Sequence, residues 1–292
     1  MLEAGMQQDV VSYSASISAC EKGQQWTMAL LLLSQMLTQK INPNVITWNS
    51  AISSCEKGFQ WEFALQLLVN MKPSQLRADQ VSFAATVTSC EKCHCWEQAL
   101  SLLDLMRTDR LKEDLVAMNA VISSSCGQWS VAVTIFQEIF KVSLLPDVVS
   151  FSALAGALDR ARRWKEVLEL FQLQKELQVQ PNVVFCGHAL GAMASSVQWR
   201  PSLALLTANL GFEMDVVSYT AVLDACCSSY QLATALKVLE EMQRQELHPN
   251  IISYSAVLDA CERDLQASQL LEMLPSCSTT SLDLMQHLRS WV

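Results

Sequence analysis

The stretch Val45-Ile46-Thr47-Trp48-Asn49 opens a unit that recurs along the chain. Related stretches begin at residues 10, 80, 115, 148, 183, 216 and 251, so successive starts are 35, 35, 35, 33, 35, 33 and 35 residues apart. A second marker follows with almost the same steps: Trp26, Trp61, Trp96, Trp129, Trp164 and Trp199. Self-similarity at a fixed period of about 20–50 residues indicates a repeat architecture.

Each unit reads as two helices, because apolar residues recur at helical spacing in both of its halves. The unit that starts at Val45 has Val45, Trp48, Ile52 and Cys55 in its first half, and Trp61, Ala64, Leu65, Leu68 and Met71 in its second. A helical hairpin with one apolar face per helix cannot bury that face alone, whereas stacked hairpins share a continuous core. The sequence therefore predicts an all-α solenoid of tandem two-helix repeats.

The ends of the helices are marked by their usual residues. Gly23 and Gly58 follow Glu-Lys, where the end of a helix favours a left-handed residue, so we expect left-handed glycines there. Proline stops the preceding chain and an Asn or Asp then caps the next helix. This pattern occurs at Pro43-Asn44, Pro146-Asp147, Pro181-Asn182 and Pro249-Asn250.

The period divides the chain into eight repeats within residues 10–285. Their boundaries are 10–44, 45–79, 80–114, 115–147, 148–182, 183–215, 216–250 and 251–285. Residues 1–9 match the end of a preceding unit, which predicts that the chain is a fragment of a longer protein, and residues 286–292 form a C-terminal tail.

Composition narrows the class of protein. The 292 residues are 51% hydrophobic and 17% charged, which excludes a disordered chain. An odd count of 11 cysteines makes a secreted disulfide scaffold a poor match. No apolar stretch reaches the roughly 18–20 residues that span a bilayer, so we expect no membrane segment. A net charge of −9 argues against nucleic-acid binding through bulk positive charge.

One segment imitates a cofactor site. Cys90-Glu91-Lys92-Cys93-His94 spells the Cys-x-x-Cys-His pattern of covalent haem attachment, and Cys95 adds a third thiol. However, Cys90 occupies the repeat position of Cys20, Cys55, Cys226 and Cys261, which indicates a core cysteine. We therefore expect no metal, haem or other cofactor.

Only four histidines occur, without a nucleophilic triad, a phosphate-binding loop or paired carboxylates, so no catalytic residue is predicted and the protein is expected not to be an enzyme.

The repeat unit combines a period of 35 residues with a Val-Val-Ser/Thr-Tyr/Trp-Asn/Ser opening, an Ala-Leu-x-Leu-Leu second helix and a Pro-Asp/Asn close. In these features the chain resembles the pentatricopeptide repeat family. The tetratricopeptide repeat is the alternative, but its Trp-x-x-Leu-Gly opening is missing here. The resemblance covers nearly the whole chain. It implies a right-handed superhelix that binds single-stranded RNA, with one base read by each repeat.

The resemblance also assigns residues to roles. The fifth and last residues of a unit would read one base, and the pairs are Ser14 with Asn44, Asn49 with Asp79, Ala84 with Asp114, Asn119 with Asp147, Ser152 with Asn182, Gly187 with Asp215, and Thr220 with Asn250, while Ser255 lacks a partner. The second residues would pack against base faces: Val11, Ile46, Val81, Val116, Val149, Val184, Val217 and Ile252. Cations near the end of the first helix would approach phosphates: Lys22, Lys57, Lys92, Arg160 and Arg263, with Gly127, Ser195 and Ser228 as exceptions.

Side-chain chemistry suggests which bases these pairs prefer. Uracil offers an N–H between two carbonyl oxygens, which matches an Asp acceptor beside an Asn donor. Adenine offers a ring acceptor beside an amino donor, which one Asn amide satisfies. The pairs therefore predict 5′-A-U-x-U-A-x-A-3′, with weak discrimination where Ala84 and Gly187 stand. Part of the acidic excess lies in the reading residues, because four of the pairs contain Asp.

The sequence thus predicts a non-catalytic RNA-binding solenoid that acts in organellar RNA processing, stability or translation, with protein factors recruited to the RNA. The alternative is a scaffold of the tetratricopeptide type that binds a peptide. Location in a mitochondrion or chloroplast follows from the resemblance alone, since no presequence is visible.

Overall fold

The computed structural model describes residues 9–264, except 73, 75, 110, 113, 126 and 209–213. These residues form fifteen α-helices and no strand. The first helices of the repeats are α1 (Val10–Lys22), α3 (Val45–Lys57), α5 (Gln80–Lys92), α7 (Leu115–Ser124), α9 (Val148–Arg160), α11 (Val183–Ser195), α13 (Val216–Ser228) and α15 (Ile251–Asp264). The second helices are α2 (Trp26–Thr38), α4 (Trp61–Met71), α6 (Trp96–Thr108), α8 (Trp129–Lys141), α10 (Trp164–Glu176), α12 (Trp199–Leu206) and α14 (Leu232–Arg244). The predicted all-α repeat fold is confirmed.

The described chain forms two compact units, one ending at Ala161 and the other beginning at Arg162. In the first unit, α1, α3, α5, α7 and α9 contact one another in sequence, and each second helix packs on its own first helix and on the next. In the second unit, α11, α13 and α15 form the equivalent row. The boundary falls between the two helices of the predicted fifth repeat. Residues 1–8, the end of the last repeat and the predicted tail 286–292 lie outside the described residues.

The core is built from the positions that the period marks as apolar. Trp48, Phe83, Phe151 and Phe185 are fully buried, one in each of four first helices. Cys55, Cys90 and Cys226 are also fully buried, as expected for packing residues between helices. Burial raises the pKa of the Cys90 thiol to about 12, with smaller contributions from Cys95 and Cys93, which disfavours the thiolate that a metal requires.

No group of three or more His, Cys, Asp or Glu side chains converges within the described residues in a way that could hold a metal ion. In the same part of the chain, no helix combines the length and the apolar character that crossing a membrane requires.

The expectation for the glycines after Glu-Lys is wrong. Gly23 and Gly58 have φ values of −82° and −87°, and the left-handed residues are the next ones along the chain, Gln24 at 55° and Phe59 at 57°. The glycine is therefore the C-cap residue, and the left-handed position is the one that follows it.

Packing between repeats explains Gly58 instead. A Cβ atom there would lie 2.4 Å from Cδ1 of Trp26, a residue of the preceding repeat. The Trp26 ring also contacts Phe63, with ring centroids 5.7 Å apart. The recurring tryptophan thus packs between repeats here, and its equivalents at the start of α4, α6, α8, α10 and α12 are half-buried.

Candidate nucleic-acid interface

An Asp or Asn caps the first helix of every described repeat. Its Oδ1 atom accepts the backbone N–H of the third helical residue at 2.8–2.9 Å. The caps are Asp9, Asn44, Asp79, Asp114, Asp147, Asn182, Asp215 and Asn250. Because the cap uses Oδ1, the second side-chain atom differs between repeats: Asp leaves an acceptor there and Asn leaves a donor.

Asp and Asn are both preferred caps, so helix capping alone is sufficient reason for these two residue types at the ends of the repeats. Their recurrence at this position is therefore also compatible with a peptide-binding scaffold. What capping does not decide is which of the two residues stands in a given repeat.

The fifth residue of repeat 2, Asn49, lies directly beside Asp79, which caps the first helix of repeat 3. Asn49 donates from Nδ2 to Oδ1 and Oδ2 of Asp79 at 3.1 and 3.3 Å. The Asn49 Oδ1 atom accepts the Ser82 hydroxyl at 2.5 Å. Oδ1 of Asp79 accepts the Ser82 backbone N–H and lies 2.8 Å from the Ser82 hydroxyl, whose single proton is shared between it and Asn49, whereas among the described contacts Oδ2 receives only the longer bond from Asn49. The carboxylate therefore keeps acceptor capacity on Oδ2.

The same contacts set the charge of the carboxyl. Burial acts to raise the pKa of Asp79, but hydrogen bonds from the Ser82 backbone, the Ser82 hydroxyl and Asn49 outweigh it, so the pKa lies below its ordinary value. Asp147 has the same balance with Ser150 and Asn119 as its donors. Both side chains are thus acceptors at neutral pH.

Repeat 4 repeats the pairing. Asn119 donates from Nδ2 to Oδ1 of Asp147 at 3.2 Å. Its own Oδ1 atom is buried without a hydrogen-bond donor, unlike that of Asn49. Two of the predicted Asn–Asp pairs are therefore in direct contact.

Two other predicted pairs are joined through a hydroxyl. Ser14 Oγ lies 2.7 Å from Thr47 Oγ1, which donates to the Asn44 cap at 2.8 Å. Thr220 and Asn250 are linked in the same way through Ser253, with distances of 2.8 and 2.9 Å. The third helical residue thus bridges the fifth residue of one repeat to the cap of the next, a role that the sequence analysis did not assign.

The remaining predicted positions have alanine, glycine or serine as the fifth residue. Ala84 has no polar side-chain atom, and Asp114 accepts from Gln80 at 3.1 Å. A Cβ atom on Gly187 would meet nothing within 4 Å, so the space beside Gly187 is open. Ser152 and its predicted partner Asn182 belong to different units. Ser255 is exposed.

The second residues of the first helices form an exposed aliphatic series. Between 57% and 72% of each side chain is exposed, although Val and Ile are among the most often buried residues. The series is Val11, Ile46, Val81, Val116, Val149, Val184, Val217 and Ile252. In each repeat, the exposed second residue, the cap and the fifth residue together form what we call the cap edge.

The predicted phosphate contacts are less open than the sequence indicated. Lys57 is paired with Glu21 at 2.9 Å and Lys92 with Glu56 at 3.0 Å, each reaching back to the preceding repeat. Lys22 is exposed. Arg160 makes interactions of its own, and the side chain of Arg263 lies outside the described residues. Two of the five cations thus form ion pairs that join neighbouring repeats.

The fold and the repeated cap edge define a helical-repeat protein. Models of two repeat families match it: the pentatricopeptide repeat domain at residues 1–57 and 207–263, and the PPR repeat at residues 46–72. The repeats within residues 1–72 and 207–263 are therefore pentatricopeptide repeats. No curated protein sequence matches it significantly.

Solved structures of the same fold include the pentatricopeptide repeat protein PPR10 in complex with an 18-nt psaJ RNA element, with a TM-score of 0.58 and 16% identity over 97% of this chain and 47% of that one. PPR10 from maize matches with a TM-score of 0.50 and 16% identity over 94% and 54% of the two chains. The PPR domain of protein-only RNase P 1 from Arabidopsis thaliana, in complex with tRNA, has a TM-score of 0.53 and 14% identity over 60% of this chain and 95% of its own. The chain spans about half the length of the PPR10 chains.

Proposed function

We propose that the protein binds single-stranded RNA along the cap edge, with one base read by each repeat. The observation that carries this proposal is the chemistry of the caps. Eight equivalent positions keep the same capping bond and differ only in whether a donor or an acceptor is left over. Such a series, in which the spare atom is a donor in some repeats and an acceptor in others, suits a partner whose own donors and acceptors vary at regular steps, as bases do.

The aliphatic series supports a nucleic-acid partner. Each of its side chains stands two residues after a cap and is more than half exposed, so a flat apolar surface lies next to each reading position. Base faces are apolar and flat, and they bury well against such side chains. PPR10 and the PPR domain of protein-only RNase P 1 have the same fold and were solved with RNA.

The pairs lead to the order 5′-A-U-x-U-A-x-A-3′, with U where Asn49–Asp79 and Asn119–Asp147 stand. The role we infer is binding without catalysis in the processing, stability or translation of an organellar transcript, with protein factors recruited to the bound RNA. The open positive charge at the predicted phosphate contacts is modest, because Lys57 and Lys92 are already paired. We therefore expect a shallow salt dependence of binding.

An electrophoretic shift tests the proposal with a matched change in repeat 2. The double variant Asn49→Ser, Asp79→Asn reproduces the pair of repeat 1, and Ser82 supplies the bridging hydroxyl that Thr47 supplies there. We expect the natural chain to prefer A-U-N-U-A-N-A over A-A-N-U-A-N-A, and the variant to reverse that preference. Equal binding of both RNAs and of the equivalent DNA by both proteins would contradict the proposal and favour the peptide scaffold.

A further inference from the structure

The turns between first and second helices carry cations in only two of the described repeats. Residues 161–165 read Ala-Arg-Arg-Trp-Lys, and Arg200 follows the tryptophan of the next repeat. The equivalent turns elsewhere read Gly-Gln-Gln-Trp-Thr at 23–27, Gly-Phe-Gln-Trp-Glu at 58–62 and Ser-Tyr-Gln-Leu-Ala at 229–233. In a chain with a net charge of −9, this concentration of cations is local.

The structure brings the cations of the second unit to one surface. Ser196 Oγ donates to the backbone carbonyl of Arg162 at 3.2 Å, so the turns of repeats 5 and 6 lie side by side. Lys165 and Arg200 occupy equivalent positions, each following the tryptophan that starts its helix. The Lys165 ammonium lies 5.7 Å from the ring of Trp164, and the Arg200 guanidinium lies 5.2 Å from the ring of Trp199.

These cations have no carboxylate partner among the residues that the structure describes. Arg162, Lys165 and Arg200 are exposed and form no ion pair there. Glu166 is next to Lys165 in the chain, but it is bound by Arg163, whose Nε donates to it at 2.9 Å. We call Arg162, Lys165 and Arg200, with the two indoles, the turn patch.

We propose that the turn patch is a second RNA-binding surface, which holds the phosphodiester backbone of RNA that has left the cap edge. A first helix of 13 residues separates the two edges by about 20 Å, so this surface is distinct from the reading positions. This inference rests on the proposed RNA binding.

Two features favour RNA backbone over a compact anion. Lys165 and Arg200 are one repeat apart, so their charges follow the stacking direction and suit an anion whose charges are also spaced along a chain. Each cation is also held against a half-buried indole, and a guanidinium or indole plane offers a surface on which an unpaired base can stack.

The test uses two triple variants with the same change in net charge. Arg162→Gln, Lys165→Gln, Arg200→Gln removes the turn patch and keeps most of the side-chain length. Lys112→Gln, Lys141→Gln, Lys237→Gln removes three exposed cations outside the patch. Affinity is measured against salt for a seven-nucleotide A-U-N-U-A-N-A RNA and for the same core within a 40-nucleotide RNA.

For the long RNA, we expect the slope of log affinity against log salt to be about 2 units shallower in the patch variant than in the control, from about 0.7 per phosphate contact. For the short RNA, the two variants should agree. Equal slopes on the long RNA would overturn the proposed role of the turn patch and leave the cap-edge proposal intact. If the natural chain binds neither RNA, the proposed function fails, and the turn patch fails with it.

Discussion

Repeats 2 and 6 follow the same two-helix plan but differ in what lies beside the cap. In repeat 2, Asn49 holds the Asp79 carboxylate from the side, and Ser82 closes the network. In repeat 6, the fifth residue is Gly187, and nothing lies within 4 Å of where its side chain would begin. Both caps nevertheless make the same 2.8–2.9 Å bond to their helix. The scaffold therefore needs only the capping atom, and the remaining atoms are free to vary between repeats.

The two repeats also differ in how they meet their neighbours. Lys57 at the end of the first helix of repeat 2 reaches back to Glu21, whereas repeat 6 has Ser195 at that position. Gly58 allows the close approach of Trp26, whereas repeat 6 has Ser196. Repeat 2 is thus tied to the preceding repeat by an ion pair and a ring contact. These differences give four ways to test which contacts support stacking and which support binding.

The largest effect is expected at Gly58. A methyl group there would lie 2.4 Å from the Trp26 ring, so Gly58→Ala should lower the free energy of unfolding by about 1–3 kcal/mol, as overpacking does. Gly23→Ala is the control, because its nearest contact is an ordinary 3.4 Å. Urea denaturation of both variants measures the difference, and equal stability would show that Trp26 does not restrict this turn.

The second effect is a gain of function in repeat 6. Gly187→Asn adds an amide in open space and gives repeat 6 the Asn–Asp combination of repeat 2, with Asp215 as the cap. We expect a preference of about fivefold to tenfold for U at the sixth base, which is what one or two net hydrogen bonds provide. Gly187→Ala has a similar effect on the helix but adds no donor, so it should show no preference. The readout is competition binding with the four bases at that position.

A smaller effect is expected from freeing Lys57. Glu21→Gln removes its ion-pair partner, and because this pair is partly exposed, the free energy of unfolding should fall by less than about 1 kcal/mol. The released ammonium should strengthen RNA binding and steepen its salt slope by about 0.7. Glu176→Gln adds the same charge at an exposed position away from Lys57. If both variants bind RNA alike, Lys57 has only a stacking role.

The smallest effect concerns the stability of the fold at low pH. Because the folded-state pKa of Asp79 is lowered, its contribution to stability is fully present above the ordinary carboxyl range near about 4 and is lost as the pH falls through the folded value. Asn49→Ala removes one of the hydrogen-bond donors to Asp79 and so raises its folded-state pKa, which should make the acid-induced loss smaller and complete at a higher pH. Denaturant melts between pH 7 and pH 3 measure the shift, and superimposable profiles would contradict it.

The sequence was informative where a feature is local. Helix starts, caps and the buried positions of Trp48, Phe83 and Phe151 follow from apolar spacing and cap residues within one repeat. It failed where two repeats meet. Gly58 packs against a ring 32 residues earlier, and Lys57 pairs with a carboxylate 36 residues earlier, so neither role is visible in the local pattern. The bridging hydroxyls of Thr47, Ser82 and Ser253 were missed for the same reason, since they connect neighbouring repeats.

Selection from a pool of RNA with seven randomised positions tests the central claim most directly. The account predicts enrichment of U at the second and fourth positions and A at the first, fifth and seventh, with little preference at the third and sixth. It also predicts that the Gly187→Asn variant adds U at the sixth position alone. Recovery of RNA without any preference at this spacing, or an unchanged profile for the variant, would contradict reading of bases at the cap edge.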